Sequence, residues 1–328
     1  MCIKQYKRIV ALLFILIDII IFHIYINDDR FTNMKVCICT CGKSENIYAR
    51  EFVEHYHKYG VDKIFIYDNN DENGENFEEV LFDYIKSGFV KIINYRNQLK
   101  IQMKAFTHCY KRNKIKYDWL IFYDMDEFIH LHHYNNIKNY LNQNHFSKCN
   151  IIYLNHVIHT DNNQINYRNK SLFERFPQIE NFKKLNFSYK PRDVLRDVTK
   201  MIIRGNIQNI NFSNPHFVID KLHKSCNGFG KLINQKGIHL KKPDHHRFYF
   251  DHFYFKSSEE YLNKLNVGSV YFGKKRGYNI YRFQIYFAFN NITNEKLDYF
   301  ENKTGVNLTY FRNKISLNQK IMQKEKMI

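Results

Sequence analysis

The sequence predicts an α/β protein whose mostly parallel central sheet is flanked by helices. Between Lys35 and Asp124, apolar runs of strand length alternate with segments whose apolar side chains recur at helical spacing. Strands that alternate with helices in this way form βαβ units, in which neighbouring strands are parallel. No internal repeat and no Pro- or Gly-rich linker interrupts the pattern, so residues 35–290 are expected to form one domain.

The N-terminus is predicted to be a membrane anchor ahead of that domain. Residues 1–8 form a basic tail, residues 9–26 an apolar run long enough to span a bilayer, and residues 27–34 a short polar stem. Positive charge before such a run favours keeping that end in the cytosol. We therefore expect a single-pass type II protein of the secretory pathway, in the endoplasmic reticulum or Golgi. Because Asp18 is costly in a membrane, a cleaved signal peptide or an amphipathic anchor is the alternative.

The elements of the domain follow from apolar runs and from residues typical of helix ends. Gly60 and Gly88 each follow a helical segment, where glycine is favoured as a C-cap. Ser257 is a candidate N-cap. Strands are predicted at 35–40, 62–67, 90–95, 150–156, 199–204 and 247–255, with a further strand ending at Asp124. Helices are predicted at 47–59, 77–87, 101–113, 135–144 and 258–265, and residues 291–328 are expected to form a helical, basic tail.

The net charge of +18 at first suggests a nucleic-acid partner. The lysines are scattered through every segment, however, and Gly, Pro and Trp are scarce, which is typical of AT-rich coding sequence. We therefore expect a solvated basic surface and no nucleic-acid partner. Three of the seven cysteines, Cys37, Cys39 and Cys41, alternate along the first strand and are expected to be small core residues. Disulfide pairing cannot be deduced from the sequence.

Two acidic residues come at the end of the apolar run that begins at Trp119 and ends at Tyr123. Asp124 and Asp126 are spaced i, i+2 and lie where a buried strand ends. In open α/β sheets, ligands bind outside the carboxyl ends of the strands. Carboxylate oxygens suit Mg²⁺ or Mn²⁺, which keep open positions for phosphates of a substrate. The Asp-x-Asp pair therefore predicts a divalent-cation site at this edge of the sheet.

Several segments of the chain resemble glycosyltransferase family 92 and its relatives in family 2. The matching segments are KSEN at 43–46, EFVEHYH at 51–57, IYDN at 66–69, YDMDEFI at 123–129, ERF at 174–176, KMIIR at 200–204 and DHFYFKSSEEY at 251–261, followed by Lys264. The chain departs from the family pattern at Ser44-Glu45, where the family has Asn-Glu. Asn266-Val267-Gly268 stands where the family has Arg-Gly, and Arg276-Gly277 lies further on.

The resemblance implies a GT-A fold, a nucleotide-sugar donor (a UDP-sugar is expected), a Mn²⁺ or Mg²⁺ cofactor and a glycan or glycoconjugate acceptor. A metal bridging the oxygens of a leaving nucleoside diphosphate stabilises the charge that develops there. Metal ligands implied by the resemblance are Asp124, Asp126, His252 and, as second choice, His216. Donor-binding residues implied by it are Thr40, Glu45, Asp68, Asp124, Lys200 and Arg204.

The family resemblance also implies inversion at the anomeric carbon, which requires a carboxylate to deprotonate the acceptor hydroxyl. Glu127, Asp220, Asp244 and Asp251 are the candidates. The acceptor site is expected in residues 160–187 and in the tail after Asn290.

Two other functions are compatible with the same pattern. A GT-A-like protein without catalysis would act as a carbohydrate-binding or scaffold protein, although the intact Asp124 and Asp126 pair argues against it. A nucleotidyltransferase or phosphatase would use two acids on another α/β sheet. The first typically has a Gly-rich phosphate loop, and the second carries its acidic pair on the first strand.

Overall fold

A computed structural model describes residues 33–180, 195, 197–219, 222–273 and 275–316 of the chain. The predicted anchor at 9–26 and the basic tail before it lie outside the described residues. So do all but the last two residues of the stem, and residues 317–328. Within the described ranges, the structure contains no helix of the length and apolarity needed to cross a bilayer.

The first half of the domain alternates strands and helices, as the sequence predicts. In chain order the elements are β1 (Val36–Gly42), α1 (Asn46–Lys58), β2 (Lys63–Asp68), α2 (Phe77–Lys86), β3 (Val90–Asn94), α3 (Gln102–Asn113) and β4 (Trp119–Phe122). Every residue of β1 is buried, because helices cover both faces of the sheet.

The second half adds shorter strands and a group of C-terminal helices. The elements are β5 (Glu127–Leu131), α4 (Ile137–Leu141), β6 (Ile151–Ile158), α5 (Leu172–Arg175), β7 (Thr199–Arg204), β8 (Ser225–Asn227), β9 (Leu232–Ile233), β10 (Phe248–His252), α6 (Ser258–Val267), α7 (Ile280–Phe289) and α8 (Asn294–Thr304). Ser257 caps α6 in a capping box with Glu260.

The central sheet is parallel in one half and mixed in the other. Its main path runs β3-β2-β1-β4-β7-β6-β10-β5. The strands β3, β2, β1 and β4 are parallel, whereas β7 is antiparallel to both of its neighbours. β10 is parallel to β6, and β5 is antiparallel to β10. β6 and β10 run in the same direction as the first four strands, whereas β7 and β5 are reversed. The predicted mostly parallel sheet is therefore observed as a mixed sheet in which β7 and β5 are the reversed strands of the main path. The carboxyl ends of β1, β4, β6 and β10 meet at one edge, together with the beginning of β7.

Two hydrophobic clusters cover the two faces of the sheet. Along β1, Ile38 belongs to the cluster under α1, and Cys39 belongs to the cluster under α3. A third cluster joins α6, α7 and α8 and includes Leu297 and Phe300. The residues that follow Asn290 therefore contribute buried side chains to the domain.

Two disulfides connect parts of the chain that are distant in sequence. Cys39 on β1 is bonded to Cys109 on α3, and Cys149 before β6 is bonded to Cys226 on β8. Cys37 and Cys41 are buried free thiols. The expectation that the cysteines of the first strand are buried is confirmed, and the structure adds the pairing.

Candidate active site

A cavity of about 700 Å³ opens at the sheet edge where β1, β4 and β10 end. The turn after β4 contributes Asp124 and Asp126, and the segment after β1 contributes Glu45. The opposite wall comes from the end of β10, from α6, from the loop after α6 and from α7. The two halves of the sequence therefore meet at this cavity.

The turn after β4 is held by contacts on two sides. The backbone N–H of Asp124 donates to the Glu127 carboxylate at 2.9 Å. The N–H of Phe253, directly after β10, donates to the carbonyl oxygen of Asp126 at 3.0 Å. Met125 between the two aspartates is fully buried. The Asp-x-Asp segment is thus a rigid part of the sheet edge.

Asp124 is bound by a buried lysine. The Nζ of Lys200 lies 2.6 Å from Asp124 Oδ2 and 3.2 Å from the carboxylate of Glu127. Gln102 Nε2 donates to Asp124 Oδ1 at 2.7 Å. Burial by itself would lower the pKa of Lys200, but Asp124 and Glu127 outweigh burial and raise it. Lys200 is therefore a permanent cation that compensates two carboxylates.

Asp126 is buried beneath two further lysines. The Nζ atoms of Lys256 and Lys264 lie 3.1 Å and 2.7 Å from the same oxygen, Oδ2. Burial tends to raise the pKa of Asp126, yet Lys256, Lys264 and His252 together lower it well below its usual value. Asp126 is therefore ionised at neutral pH.

A chain of hydrogen bonds decides which nitrogen of His252 carries the proton. His156 Nε2 donates to the carbonyl oxygen of Leu195, so His156 Nδ1 is the acceptor. That Nδ1 lies 3.0 Å from His252 Nδ1, which must donate. The lone pair on His252 Nε2 then faces Asp126 Oδ1 at 3.7 Å. Burial lowers the pKa of His252 well below its ordinary value, so the ring is neutral.

The donor set fits a divalent cation in its chemistry. A carboxylate oxygen and a neutral imidazole nitrogen, held in orientation by a second histidine, are the groups that bind Mn²⁺. His216 also lines the cavity, with its Nδ1 3.1 Å from the carbonyl oxygen of Thr199. In the described part of the chain, no three His, Cys, Asp or Glu side chains lie together as a ready set of metal ligands. Asp124 is directed to Lys200 and Gln102 instead.

The structure brings only some of the predicted donor-binding residues to the cavity. Glu45 and Asp124 line it, and Lys200 lies directly behind Asp124. Thr40 is fully buried, and its hydroxyl has no hydrogen-bond partner among the described residues. Asp68 is buried as well and binds Arg96 Nε at 2.8 Å. Arg96 also donates to the backbone carbonyls of residues 71, 72 and 75. Asp68 therefore stabilises the loop after β2 through Arg96.

Arg204 lies at the far end of the sheet. Because β7 is antiparallel to β4, Arg204 is paired with Trp119, at the beginning of β4. Its guanidinium donates to backbone carbonyls of Cys149 and Phe146 and lies 4.3 Å from the centre of the Trp119 ring. The prediction that Arg204 contacts the donor is therefore not supported by its position.

The described base candidates do not line the cavity either. Glu127 is 1% exposed and is bound to Lys200 and to the N–H of Asp124. Asp251 precedes His252 on β10 and so points to the other face, where it lies 2.8 Å from His159 Nε2. Asp244 accepts hydrogen bonds from backbone N–H groups of residues 246–248. Asp220 lies outside the described residues.

Several residues of the cavity wall had no predicted role. Lys256 and Lys264 belong to the late segment of the family resemblance, where their type and spacing were visible in the sequence. Arg276 donates to the Tyr254 hydroxyl at 3.0 Å. Burial alone would raise the pKa of Tyr254, but Arg276 and Lys264 help to lower it. The wall opposite the aspartates is therefore strongly positive.

A buried ion pair joins two of the resembling segments. Arg175 donates to the Glu260 carboxylate through Nη1 at 2.7 Å and through Nη2 at 3.0 Å. The Tyr48 hydroxyl and the Ser257 hydroxyl donate to the same carboxylate, each at 2.6 Å. Glu260 thus holds the start of α6 against α1 and α5.

The fold and the site define an α/β protein with a carboxylate-bearing ligand cavity at the carboxyl edge of its strands. The chain belongs to glycosyltransferase family 92, whose family model matches residues 32–270. The resemblance seen in the sequence is confirmed.

Curated relatives match a short part of the chain. A glycosyltransferase family 92 protein of Ricinus communis is 33% identical over 97 residues, which are 30% of this chain and 17% of that protein. One of Oryza sativa subsp. japonica is 34% identical over 97 residues, 29% of this chain and 16% of that protein. The chain therefore aligns with only a small fraction of the length of these relatives.

Solved structures show partial similarity. A mannosyltransferase of Pyrobaculum calidifontis in complex with GDP-Man and Mn²⁺ has a TM-score of 0.29 at 6% identity, over 40% of this chain and 42% of that one. TarS of S. aureus in complex with UDP has a TM-score of 0.29 at 13% identity, over 41% of this chain and 37% of that one.

Proposed function

We propose that this chain is a GT-A-type, metal-dependent glycosyltransferase that moves a sugar from a UDP-sugar to a glycan or glycoconjugate acceptor, with inversion. Family membership supports glycosyl transfer. The observation that carries the proposal further is the placement of Asp124 and Asp126 on one cavity that both halves of the domain line. That cavity has the size range of small-molecule and cofactor sites.

Asp126 and His252 are the residues that would hold Mn²⁺ or Mg²⁺, with Asp124 and His216 as further candidates. When bound, the ion would stabilise negative charge on the leaving nucleoside diphosphate. The protein prepares these groups in advance. Lys256 and Lys264 keep Asp126 ionised, and His156 directs the Nε2 lone pair of His252 towards it.

In the reaction, a hydroxyl oxygen of the acceptor forms a bond to the anomeric carbon, and the bond from that carbon to the diphosphate oxygen breaks. The hydroxyl proton passes to a base. Glu45 lines the cavity and has no side-chain hydrogen bond or ion pair with any described residue. Its carboxyl group is therefore free to form hydrogen bonds with a bound donor or acceptor. Glu45 is the donor-binding residue that we retain with Asp124.

We place the domain in the secretory pathway, as a type II membrane protein. Two disulfides support an oxidising compartment, because disulfides rarely persist in the cytosol. The apolar run at residues 9–26 supports the anchor.

The test is release of nucleoside diphosphate from a panel of nucleotide sugars by the full-length chain in detergent with Mn²⁺. We expect slow hydrolysis of one donor, lost with EDTA and in Asp126→Asn. Asp83→Asn is the matched control. Asp83 lies on α2 and is the exposed ion-pair partner of Arg50 on α1.

Turnover that EDTA leaves unchanged would contradict the metal dependence. No turnover of any donor, together with no metal-dependent nucleotide binding, would contradict the enzymatic function. The chain would then be a carbohydrate-binding or scaffold protein of the same fold.

A further inference from the structure

We infer that Lys264, Arg276 and Arg282 form the binding site for the diphosphate of the donor, an inference that rests on the proposed function. We call these three residues the basic cradle. They come from α6, from the loop after it and from α7, and all three line the cavity. The wall opposite Asp124 and Asp126 is therefore built as an anion site.

Lys264 is the member of the cradle that contacts an aspartate. Its Nζ is 2.7 Å from Asp126 Oδ2 and 4.1 Å from the centre of the Tyr254 ring. It shares Oδ2 with the buried Lys256, so two ammonium groups contact one carboxylate oxygen. One of the two positive charges is in excess. Lys264 is the more exposed lysine, at 26%, and is therefore the one available to a ligand.

Arg276 has no carboxylate partner among the described residues. Its Nη1 donates to the Tyr254 hydroxyl at 3.0 Å, and its guanidinium lies 5.9 Å from the same ring. A guanidinium that is positioned by a single phenol hydroxyl keeps most of its donors for a ligand. This arrangement is typical of residues that recognise phosphate groups.

Arg282 also has a hydrogen-bond donor without an acceptor among the described residues. Its Nε is buried and has no hydrogen-bond partner among the described residues. Leaving a buried donor of a charged group unpaired is costly, and native proteins rarely do so without a reason. A bound anion in the cavity would supply the missing acceptor.

The backbone next to the cradle is also strained. Lys256 has φ of +56°, in the left-handed region that non-glycine residues seldom adopt. This conformation places the Lys256 ammonium over the Tyr48 ring at 4.4 Å and against Asp126. Such strain persists where the surrounding structure demands it, most often at functional sites.

A diphosphate matches these observations better than a single charge does. Two linked phosphate groups offer several oxygens to three cations on three separate elements, whereas one carboxylate could satisfy only one guanidinium fork. The cradle also lies beside Asp126, where the metal and the scissile bond belong in the proposed function.

The test uses isothermal titration of the full-length chain in detergent with UDP, UMP, uridine and inorganic pyrophosphate. Each ligand is titrated once in the presence of Mn²⁺ and once in the presence of EDTA. If GDP binds more tightly than UDP, then GDP, GMP and guanosine replace UDP, UMP and uridine. The variants are Lys264→Gln and Arg276→Gln. Lys275→Gln is the matched control, because Lys275 is exposed and bonded to Asn266.

We expect each cradle variant to weaken UDP and pyrophosphate binding roughly tenfold or more, as for loss of a hydrogen bond to a charged group. Uridine affinity should not change, and neither should any affinity of Lys275→Gln. Should Lys264→Gln fail to fold, Arg276→Lys replaces it and should show an intermediate loss for both UDP and pyrophosphate.

Two outcomes would overturn the inference alone: unchanged UDP and pyrophosphate affinity in the variants, or an equal loss for UDP and uridine. If the wild-type chain binds no nucleoside diphosphate under either condition, the proposed function fails as well. The two failures are therefore distinguishable.

Discussion

His156 Nδ1 and His252 Nδ1 lie 3.0 Å apart in the core of the domain. Since two neutral imidazoles can share one hydrogen only in one direction, the carbonyl oxygen of Leu195 decides the tautomer of both rings. A backbone carbonyl thus orients the lone pair of His252 through a second histidine rather than by direct contact.

This relay predicts an effect on metal affinity. His156→Leu should lower the affinity for Mn²⁺ about 10- to 100-fold, as expected when a partner of a metal-ligating histidine is removed. The measurement is free Mn²⁺ by electron paramagnetic resonance during titration. His246→Leu, at an exposed position after β9, is the control. A folded His156→Leu protein with unchanged Mn²⁺ affinity would rule out this role for His252.

Lys200 is predicted to be essential for stability. Lys200→Met removes the only described cation on Asp124 and leaves two carboxylates next to each other, one of them fully buried. The loss in free energy of unfolding should be about 3–5 kcal/mol, measured by urea denaturation. Lys138→Met breaks the partly exposed pair with Asp62 and should cost less than about 1 kcal/mol. Similar losses for the two variants would contradict the prediction.

Glu45 is predicted to make stability depend on pH. Burial, and then the charge of Asp126, raise the pKa of Glu45 from 4.5 to about 8. Between these values the folded chain retains a proton that the unfolded chain has lost, so the Glu45 contribution lowers stability as pH rises. Glu45→Gln removes this contribution and should be increasingly more stable than wild type from pH 5 to pH 8.

Thermal unfolding across that pH range measures the effect. Glu54→Gln removes the same charge from an exposed site on α1 and serves as control. Parallel stability profiles for wild type and Glu45→Gln would show that the carboxyl is not perturbed in this way.

The second disulfide is predicted to be a large contributor to stability. Cys149 and Cys226 are 77 residues apart, and the chain-entropy relation gives about 4.5 kcal/mol for a loop of that length. The double variant Cys149→Ala/Cys226→Ala should lose this amount in chemical denaturation. Cys37→Ala, which removes a buried free thiol, is the comparison. A reducing agent that leaves the wild-type midpoint unchanged would contradict the prediction.

The sequence predicted seven of the ten strands that the structure describes, but not β5, β8 and β9 and not the reversed direction of β7. The bounds of β7 were predicted as observed, since an apolar run flanked by polar residues marks a strand. Periodicity does not encode direction, however. Lys200 and Arg204 looked equally suited to the donor. They lie at opposite ends of β7, and the antiparallel pairing with β4 decides that Lys200 is the one at the cavity edge.

Long-range partners were equally invisible in the sequence. Asp68 was predicted at the end of β2, where it lies, but its binding to Arg96 depends on where the chain passes after β3. The same holds for Cys39 and Cys109. The Asp-x-Asp pair was recognisable because its strand and its two acids are contiguous.

The five hydrogen bonds that the Glu260 carboxylate accepts have a consequence for how the family diversifies. Arg175, Tyr48 and Ser257 all depend on this single carboxylate, so a change at any one of them leaves the others poorly matched. Homologues that replace Glu260 should therefore replace Arg175 as well.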